Sequence, residues 1–243
     1  MKFNHFVILA VLFSLMIISG CKKEFYDDTL EYNYEYQPLA VGQYTIFDVD
    51  SIRYLYTAPT QSVDTIQYQW MEKITDTFYD NLSRINYRLE LFRRTNSAQN
   101  WRLEKVWYCC KSKTNFERQE DDLRFLKLIF PLKKELSWKG NLYLATSDSN
   151  QFAPYYNWLY KVKNMGSLLT IGTNSFAETA TIAQRDEENQ IDKVRSVEVY
   201  AKNVGLISKE LEIINKQDVA SPWTNPNKAN GFRLIMKVNS YGP

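Results

Sequence analysis

The chain has 243 residues and a formal net charge of +2, a length that suits one domain with a real core or two small ones. Near-neutral charge argues against a nucleic-acid footprint, which needs a marked basic surplus. The single histidine is His5, so residues 6–243 offer no Ser-His-Asp or Cys-His catalysis and no His-ligated zinc or iron site.

The N-terminus carries Lys2 and then a run from Phe6 to Ile18 with one serine and no charge. A membrane-crossing helix needs about 20 apolar residues, and this run has thirteen. A basic start, a short apolar stretch and small residues at its end read as a secretory signal peptide over residues 1–20. Ile18-Ser19-Gly20-Cys21 resembles the lipobox of bacterial lipoproteins. That resemblance implies cleavage before Cys21, a diacylglycerol on its thiol and acylation (palmitate) of the new amino terminus. Several chains on one residue give stable membrane residence, since each buried methylene is worth about 0.8 kcal/mol. Cleavage would remove Lys2 and leave a charge of +1. Lys22 occupies the place where enteric lipoproteins carry an inner-membrane retention aspartate, which implies the outer membrane, periplasmic or surface-facing. Glu24, Asp27 and Asp28 loosely resemble the acidic surface-export tract of Bacteroidota lipoproteins, interrupted by lysines.

Residues 21–37 read as an acidic, tyrosine-rich tether. Tyr32, Tyr34 and Tyr36 alternate with polar residues, so an edge strand is the alternative. From Pro38 to the C-terminus the prevailing period is two, the signature of half-buried strands. QYTIFDVDSIRYLY predicts a first strand with a bulge near Asp50, and TIQYQWMEKI sets Ile66, Tyr68 and Trp70 on one face. RINYRLELF puts Ile85, Tyr87, Leu89 and Leu91 opposite Arg84, Asn86, Arg88 and Glu90. WRLEKVWYCC places Trp101, Leu103 and Trp107 on one side, and neighbouring Cys109 and Cys110 on opposite faces. That geometry is poor for a disulfide, a redox pair or a chelate, and predicts one thiol buried and one at the surface. LRFLKLIF, SVEVYA, GLISKELEII and FRLIMKV complete the series. Polar turns separate the runs (DNLS, TNSAQN, KSKTN, TSDSN, RDEENQ, KNVG) and no amphipathic helix of twelve residues appears. The predicted fold is all-β: a single antiparallel, strongly curved sheet or an open barrel or half-barrel over residues 38–243, with little helix outside the signal peptide.

PLAVGQYTIFDVDS and YAKNVGLISKE look like phrases common in uncharacterised Bacteroidota cell-envelope lipoproteins. The resemblance implies an antiparallel β domain in the envelope and supplies no activity. The first phrase reads as a turn at Gly42, the second as a hairpin around Asn203 to Gly205, where glycine takes positive φ freely.

Aromatic residues make up 15% of the chain. Tyr68, Trp70, Tyr87, Trp101 and Trp107, with Tyr44 and Trp158, are candidates to line an apolar pocket on the concave face; the other reading is that they fill the core. Asp186, Glu187, Glu188 and Asp192 form an oxygen-rich stretch that calcium would accept, as do Glu117, Glu120, Asp121 and Asp122, but both lack EF-hand spacing and suit charged hairpin tips equally. Asp28-Thr29-Leu30, Asp50-Ser51-Ile52 and Asp64-Thr65-Ile66 match a Bacteroidota O-glycosylation pattern, with Thr29, Ser51 and Thr65 as acceptors. The expectation is a lipid-anchored outer-membrane lipoprotein with no cofactor or metal, acting without catalysis. It would bind an envelope partner or carry a lipid-like, hydrophobic ligand. The competing class is a carboxylate-dependent, carbohydrate-active enzyme, which would need two acids facing across a cleft.

Overall fold

The computed structural model describes residues 31–144 and 155–243. Twelve strands follow in chain order: β1 (Tyr44–Thr57), β2 (Thr60–Tyr79), β3 (Ile85–Arg94), β4 (Arg102–Lys111), β5 (Asn115–Glu120), β6 (Leu123–Ile129), β7 (Ser137–Lys139), β8 (Leu159–Ile171), β9 (Asn174–Glu188), β10 (Asp192–Ala201), β11 (Gly205–Lys216) and β12 (Ala229–Gly242). They form one sheet in the order β6-β5-β4-β3-β2-β1-β12-β11-β10-β9-β8-β7. Every neighbouring pair is consecutive in the chain except β1 with β12, so two antiparallel meanders are joined through the first and last strands.

The sheet edges, β6 and β7, are consecutive in sequence and meet again in space. The Leu126 N–H donates to the Gly140 carbonyl at 2.8 Å, and the Trp138 indole Nε1 donates to the Leu126 carbonyl at 2.8 Å. These bonds staple a seam that no ladder closes. The molecule is therefore all-β and antiparallel, a nearly closed barrel open along one line, and no α-helix occurs among the described residues.

Alternation decides which side chains face in. In β3, Leu89 and Leu91 are buried while Arg88 pairs with Glu90 on the other side. In β1, Phe47 and Val49 point inward opposite Trp70 and Tyr68 of β2. Most of the core is one large cluster, beside a smaller one of Ile74, Leu89 and Leu91; along β7 to β9, Trp138, Tyr160, Val162 and Ile182 are at most 7% exposed. Filling such an interior with apolar surface is worth about 25 cal/mol per Å² removed from water.

One end of the barrel is plugged by the segment before β1. Tyr34–Tyr36 form a 3-10 turn, neither an edge strand nor a free tether, and Tyr36 is fully buried. The Asn203 N–H donates to the Glu35 carbonyl at 2.7 Å, the Leu132 N–H to Tyr32 at 3.2 Å, and the Lys111 ammonium to the Gln37 carbonyl at 2.7 Å. The tether expected over 21–37 thus gives way at 32–37 to packed structure. Asn203 and Gly205 hold φ of 62° and 98° at the β10–β11 turn, a backbone shape glycine adopts without a Cβ penalty.

Three expectations need correction. The bulge placed near Asp50 lies instead where Ile46 faces Ser240 and Phe47 faces Val238, leaving Asn239 unpaired on β12. Trp101 and Leu103 do not share a face with Trp107. Leu91 faces Lys105 while Phe92 faces Leu103, so the extra residue Glu104 reverses the phase; Leu103 is 47% exposed. Cys109 and Cys110 are both free and both buried, although on opposite faces.

Candidate functional site

Neighbouring inward rows enclose a cavity of about 290 Å³ towards the end of the barrel opposite the plug. β2 supplies Tyr68, Trp70 and Glu72, which alternate with outward Gln67, Gln69 and Met71. β4 adds Trp107, β6 adds Phe125, and β11 and β12 add Leu211 and Leu234. Tyr68 and Trp70 lie 6.1 Å apart between ring centroids, and Trp70 and Trp107 lie 6.3 Å apart. Tyr155 packs edge-on against Phe125 at 5.8 Å. The aromatic wall arises because a period of two puts every second residue of each strand on the same surface.

Below the rings the interior turns ionic. Arg118 of β5 grips Glu72 of β2 through both terminal nitrogens, and its Nε stands 3.2 Å from Glu120. Lys127 of β6 bridges Glu120 at 3.1 Å and Glu198 of β10 at 2.8 Å. Lys209 of β11 stands 3.5 Å from both of those carboxylates, and the Tyr200 hydroxyl donates to Glu198 at 2.7 Å. These six charged side chains are at most 14% exposed. Three cations against three anions leave the floor neutral. The Arg118 guanidinium also lies 4.9 Å from the Trp107 ring centroid, so floor and wall are coupled by a cation–π contact.

Burial by itself would raise the Glu120 carboxyl. Lys127, then Lys209 and Arg118, outweigh it and hold Glu120 below the ordinary carboxylate range. Glu198 is likewise lowered against its burial, by Lys127 and Lys209. Lys127 is held above its usual value by Glu120 and Glu198 despite its own burial. Glu120, Glu198, Lys127 and Arg118 are therefore ionised at neutral pH. A buried neutral network of this kind is often no more stabilising than a well-packed apolar replacement.

Of the aromatic residues singled out from sequence, the fold gathers Tyr68, Trp70 and Trp107 in the cavity wall. Tyr87 faces inward on β3 opposite Cys109, packed against the core away from the cavity. Trp101 lies under Arg94, whose guanidinium is 4.2 Å from its ring centroid, on the outer face. Trp158 is core, 3% exposed. Ser51 is half-buried on the inner side of the sheet beyond the cavity, and Thr65 is exposed opposite Ile52. Cys21 and Thr29 lie outside the described residues.

The candidate calcium ligands are engaged elsewhere. Asp186 faces Arg195 at 3.7 Å, Glu188 faces Lys193 at 3.4 Å, Glu187 pairs with Arg185, and Asp192 accepts from Asn215 at 2.8 Å. Among the described residues no group of three or more His, Cys, Asp or Glu side chains is placed to hold a metal ion. The second acidic run is split by its strand: Glu120 turns inward to the floor, while Glu117 turns outward to Arg84, Arg124 and the Tyr143 hydroxyl.

A larger hollow of about 570 Å³ lies open on that outer face, with Cys110 at its base. Within it Arg84 pairs with Asp80 and Glu117, and Arg124 with Glu117, and burial pushes the Cys110 thiol up; the Cys109 thiol, on the inner face, is pushed up to about 12 by burial. Neither is an activated nucleophile.

Glu72, Arg118, Lys127, Glu198 and Lys209 were not foreseen as site residues. One signal was present: Glu72 continues the inward series Tyr68, Trp70 in TIQYQWMEKI. Its partner Arg118 lies 46 residues away, beyond any local pattern. No protein-family model matches this chain, and no curated protein matches it.

Proposed function

We propose that this chain is a lipid-anchored outer-membrane lipoprotein that works without catalysis, as a carrier or sensor of a small hydrophobic ligand. The cavity is the observation that carries the reading. Its volume of about 290 Å³ sits at the lower bound of roughly 300 Å³ for small-ligand sites, and its wall is formed by Tyr68, Trp70, Trp107 and Phe125. The carboxylates nearby are committed to lysine and arginine rather than facing one another across an open cleft. The lipobox Ile18-Ser19-Gly20-Cys21 supports the anchor, and among the described residues no helix is long and apolar enough to cross a membrane.

A partner-binding role is the second reading. Leu55 and Ile66, on the inner side of the long β1–β2 hairpin, are 40% and 54% exposed, apolar surface of the kind that marks contact sites.

Purification of the acylated protein from its membrane, followed by mass spectrometry of the extracted small molecules and proteins, separates these readings. The carrier reading expects a small apolar compound near one per chain, reduced by Trp107→Ala. A stoichiometric protein partner with an empty cavity would replace it with the second reading, and an empty, partner-free preparation would overturn both. For the anchor, Cys21→Ala should release the protein from membranes; retention after that change would contradict it.

A further inference from the structure

At the mouth end, three strands run past a neighbour with which they pair. β4 meets β5 only over Tyr108 to Lys111, β9 meets β8 only as far as Ala183, and β2 meets β3 only from Gln69 onward. A bare strand edge is a template for pairing with another chain, and charges or a bulge blunt it. The β4 edge carries Arg102, Glu104 and Lys105, with the bulge at Glu104. The β9 edge carries Arg185, Asp186, Glu187 and Glu188. The β2 edge, residues 60–68, carries a single charge, Asp64, and its ladder with β1 has no register shift. Two edges are guarded and one is not.

Register says which groups on that edge are bare. Thr57 faces Thr60 across a two-residue turn, so this pair exchanges its backbone bonds. Bonded and non-bonded pairs alternate along an antiparallel ladder, which turns Ser62, Asp64 and Ile66 back to β1. Gln61, Val63, Thr65 and Gln67 aim their N–H and C=O groups the other way. Two contacts agree with that phase. The Tyr56 N–H, opposite Gln61, donates away from β2 to the Asn230 side chain at 3.0 Å, and Gln69, next in the odd series, opens the ladder with β3. Val63, Thr65 and Gln67 are exposed, and among the described residues no loop or strand supplies their backbone partners.

An extended chain is the occupant that meets donors and acceptors spaced in this way. A second copy fits poorly. Asp64 is the midpoint of residues 60–68, so two copies paired antiparallel along the whole edge would set Asp64 against its own image. Like charges directly opposite destabilise a ladder. Asp64 is exposed and holds no ion pair among the described residues, although Arg53 faces it from β1. On the bare side Asp64 occupies a non-bonded position, where opposing side chains come closest, and a cation is its complement.

We infer that residues 60–68 are a docking edge for an extended segment of another protein, added antiparallel to β2 with Lys or Arg opposite Asp64. This rests on the partner-binding reading and gives it a surface; it does not depend on the cavity. Val63 on the outer face and Ile66 on the inner face, 50% and 54% exposed, supply apolar contacts on either side of the added strand.

The probe is the end-blocked peptide TVTVKVTVT, titrated against the acylated protein in lipid nanodiscs with amide hydrogen exchange as the readout. In the free protein the Val63, Thr65 and Gln67 amides should exchange fast and those of Asp64 and Ile66 slowly. The peptide should protect the first set. Replacing its lysine with glutamate should weaken binding by about fivefold or more. N-methylating the two valines beside the lysine, whose N–H groups face β2, should weaken it by about tenfold. Methylating the next threonine on each side, whose N–H groups face away, should leave it unchanged. Thr65→Pro removes one bare N–H and spares the bonds to β1, and should weaken the peptide by about fivefold. Asp64→Lys should make the glutamate peptide the tighter binder. Where a variant fails to fold, the methylated peptides decide, since they leave the protein untouched.

Equal binding of the two methylated peptides would overturn strand addition, and equal binding of the lysine and glutamate peptides would overturn the assigned charge. A free protein that is dimeric, with the Val63, Thr65 and Gln67 amides already slow, would give the edge to a second copy and overturn the assignment. No binding of TVTVKVTVT sinks this inference. The partner-binding reading survives that result if a stoichiometric protein co-purifies equally with wild type and Thr65→Pro.

Discussion

The two sides of the barrel treat their interiors in opposite ways. Along β7 to β10, rings and branched chains fill the space: Trp138 meets Tyr160 at 5.8 Å, and Val162 and Ile182 are fully buried. Along β2 to β6, equally large side chains stand around a cavity above a set of paired charges. Both sides are antiparallel ladders with the same period, so strand geometry alone does not decide whether a barrel is filled. The difference is set by which residues occupy the inward positions. Six charged groups need room and partners, and the floor they make stops apolar side chains from closing over it. Sealed apolar packing is concentrated on one side and the cavity on the other.

Breaking the floor should have the largest effect. Glu198→Ala leaves Lys127 and Lys209 with a single shared carboxylate, Glu120, and should destabilise the protein by about 3–5 kcal/mol, the usual cost of orphaning a buried charge; urea unfolding measures it. Acid should do the same gradually. Glu120 and Glu198 are held below the ordinary carboxylate value in the folded protein. Their contribution is therefore complete above the unfolded value of about 4.3 and is lost as pH falls through the lower folded values. The melting temperature should hold from neutral pH to about 5 and then decline steadily, and the decline should be shallower in Glu198→Ala. A wild-type profile that is flat to pH 3 would contradict the ionic floor.

The plug tests the filled side. Tyr36 is fully buried, and Tyr36→Ala should cost about 3–5 kcal/mol through lost burial and the cavity left behind. Unlike Glu198→Ala, it should leave the acid limb of the stability profile unchanged. The seam comes next. A Cβ on Gly140 would overlap the ring of Tyr160, which is 1% exposed and has nowhere to move. Gly140→Ala should therefore cost about 1–3 kcal/mol by overpacking. It should also speed amide exchange at Leu126, whose N–H bonds to Gly140 across the seam.

Much of the architecture was legible because alternation is a local signal. β1 to β4, β6 and β10 to β12 each follow runs in which apolar residues recur at every second position, and the turns at Asp80–Arg84 and Asn203 carry their own chemistry. Where the period breaks, legibility fails. β8 pairs with β9 through three register shifts, which erase the alternation, and β9 is rich in alanine and threonine. β5, NFERQE, is too polar to read as a barrel strand, because its charges are satisfied by residues remote in sequence. The same limit hid the floor. Three of the seven aromatics put forward for a pocket, Tyr68, Trp70 and Trp107, line the cavity; Trp101 is lost to the outer face through the Glu104 bulge, and Tyr87 and Trp158 to the core.

The contrast between the two sides also supplies its most direct test. The chain has six tryptophans; Trp70 and Trp107 stand in the cavity wall, while Trp138 and Trp158 are sealed in the filled side. In a nitrogen-edited proton spectrum each gives one indole N–H peak. Adding the lipid extract of the native membrane should move the Trp70 and Trp107 peaks and leave those of Trp138 and Trp158 in place. Unmoved Trp70 and Trp107 peaks at saturating extract, or shifts confined to Trp138 and Trp158, would contradict the account.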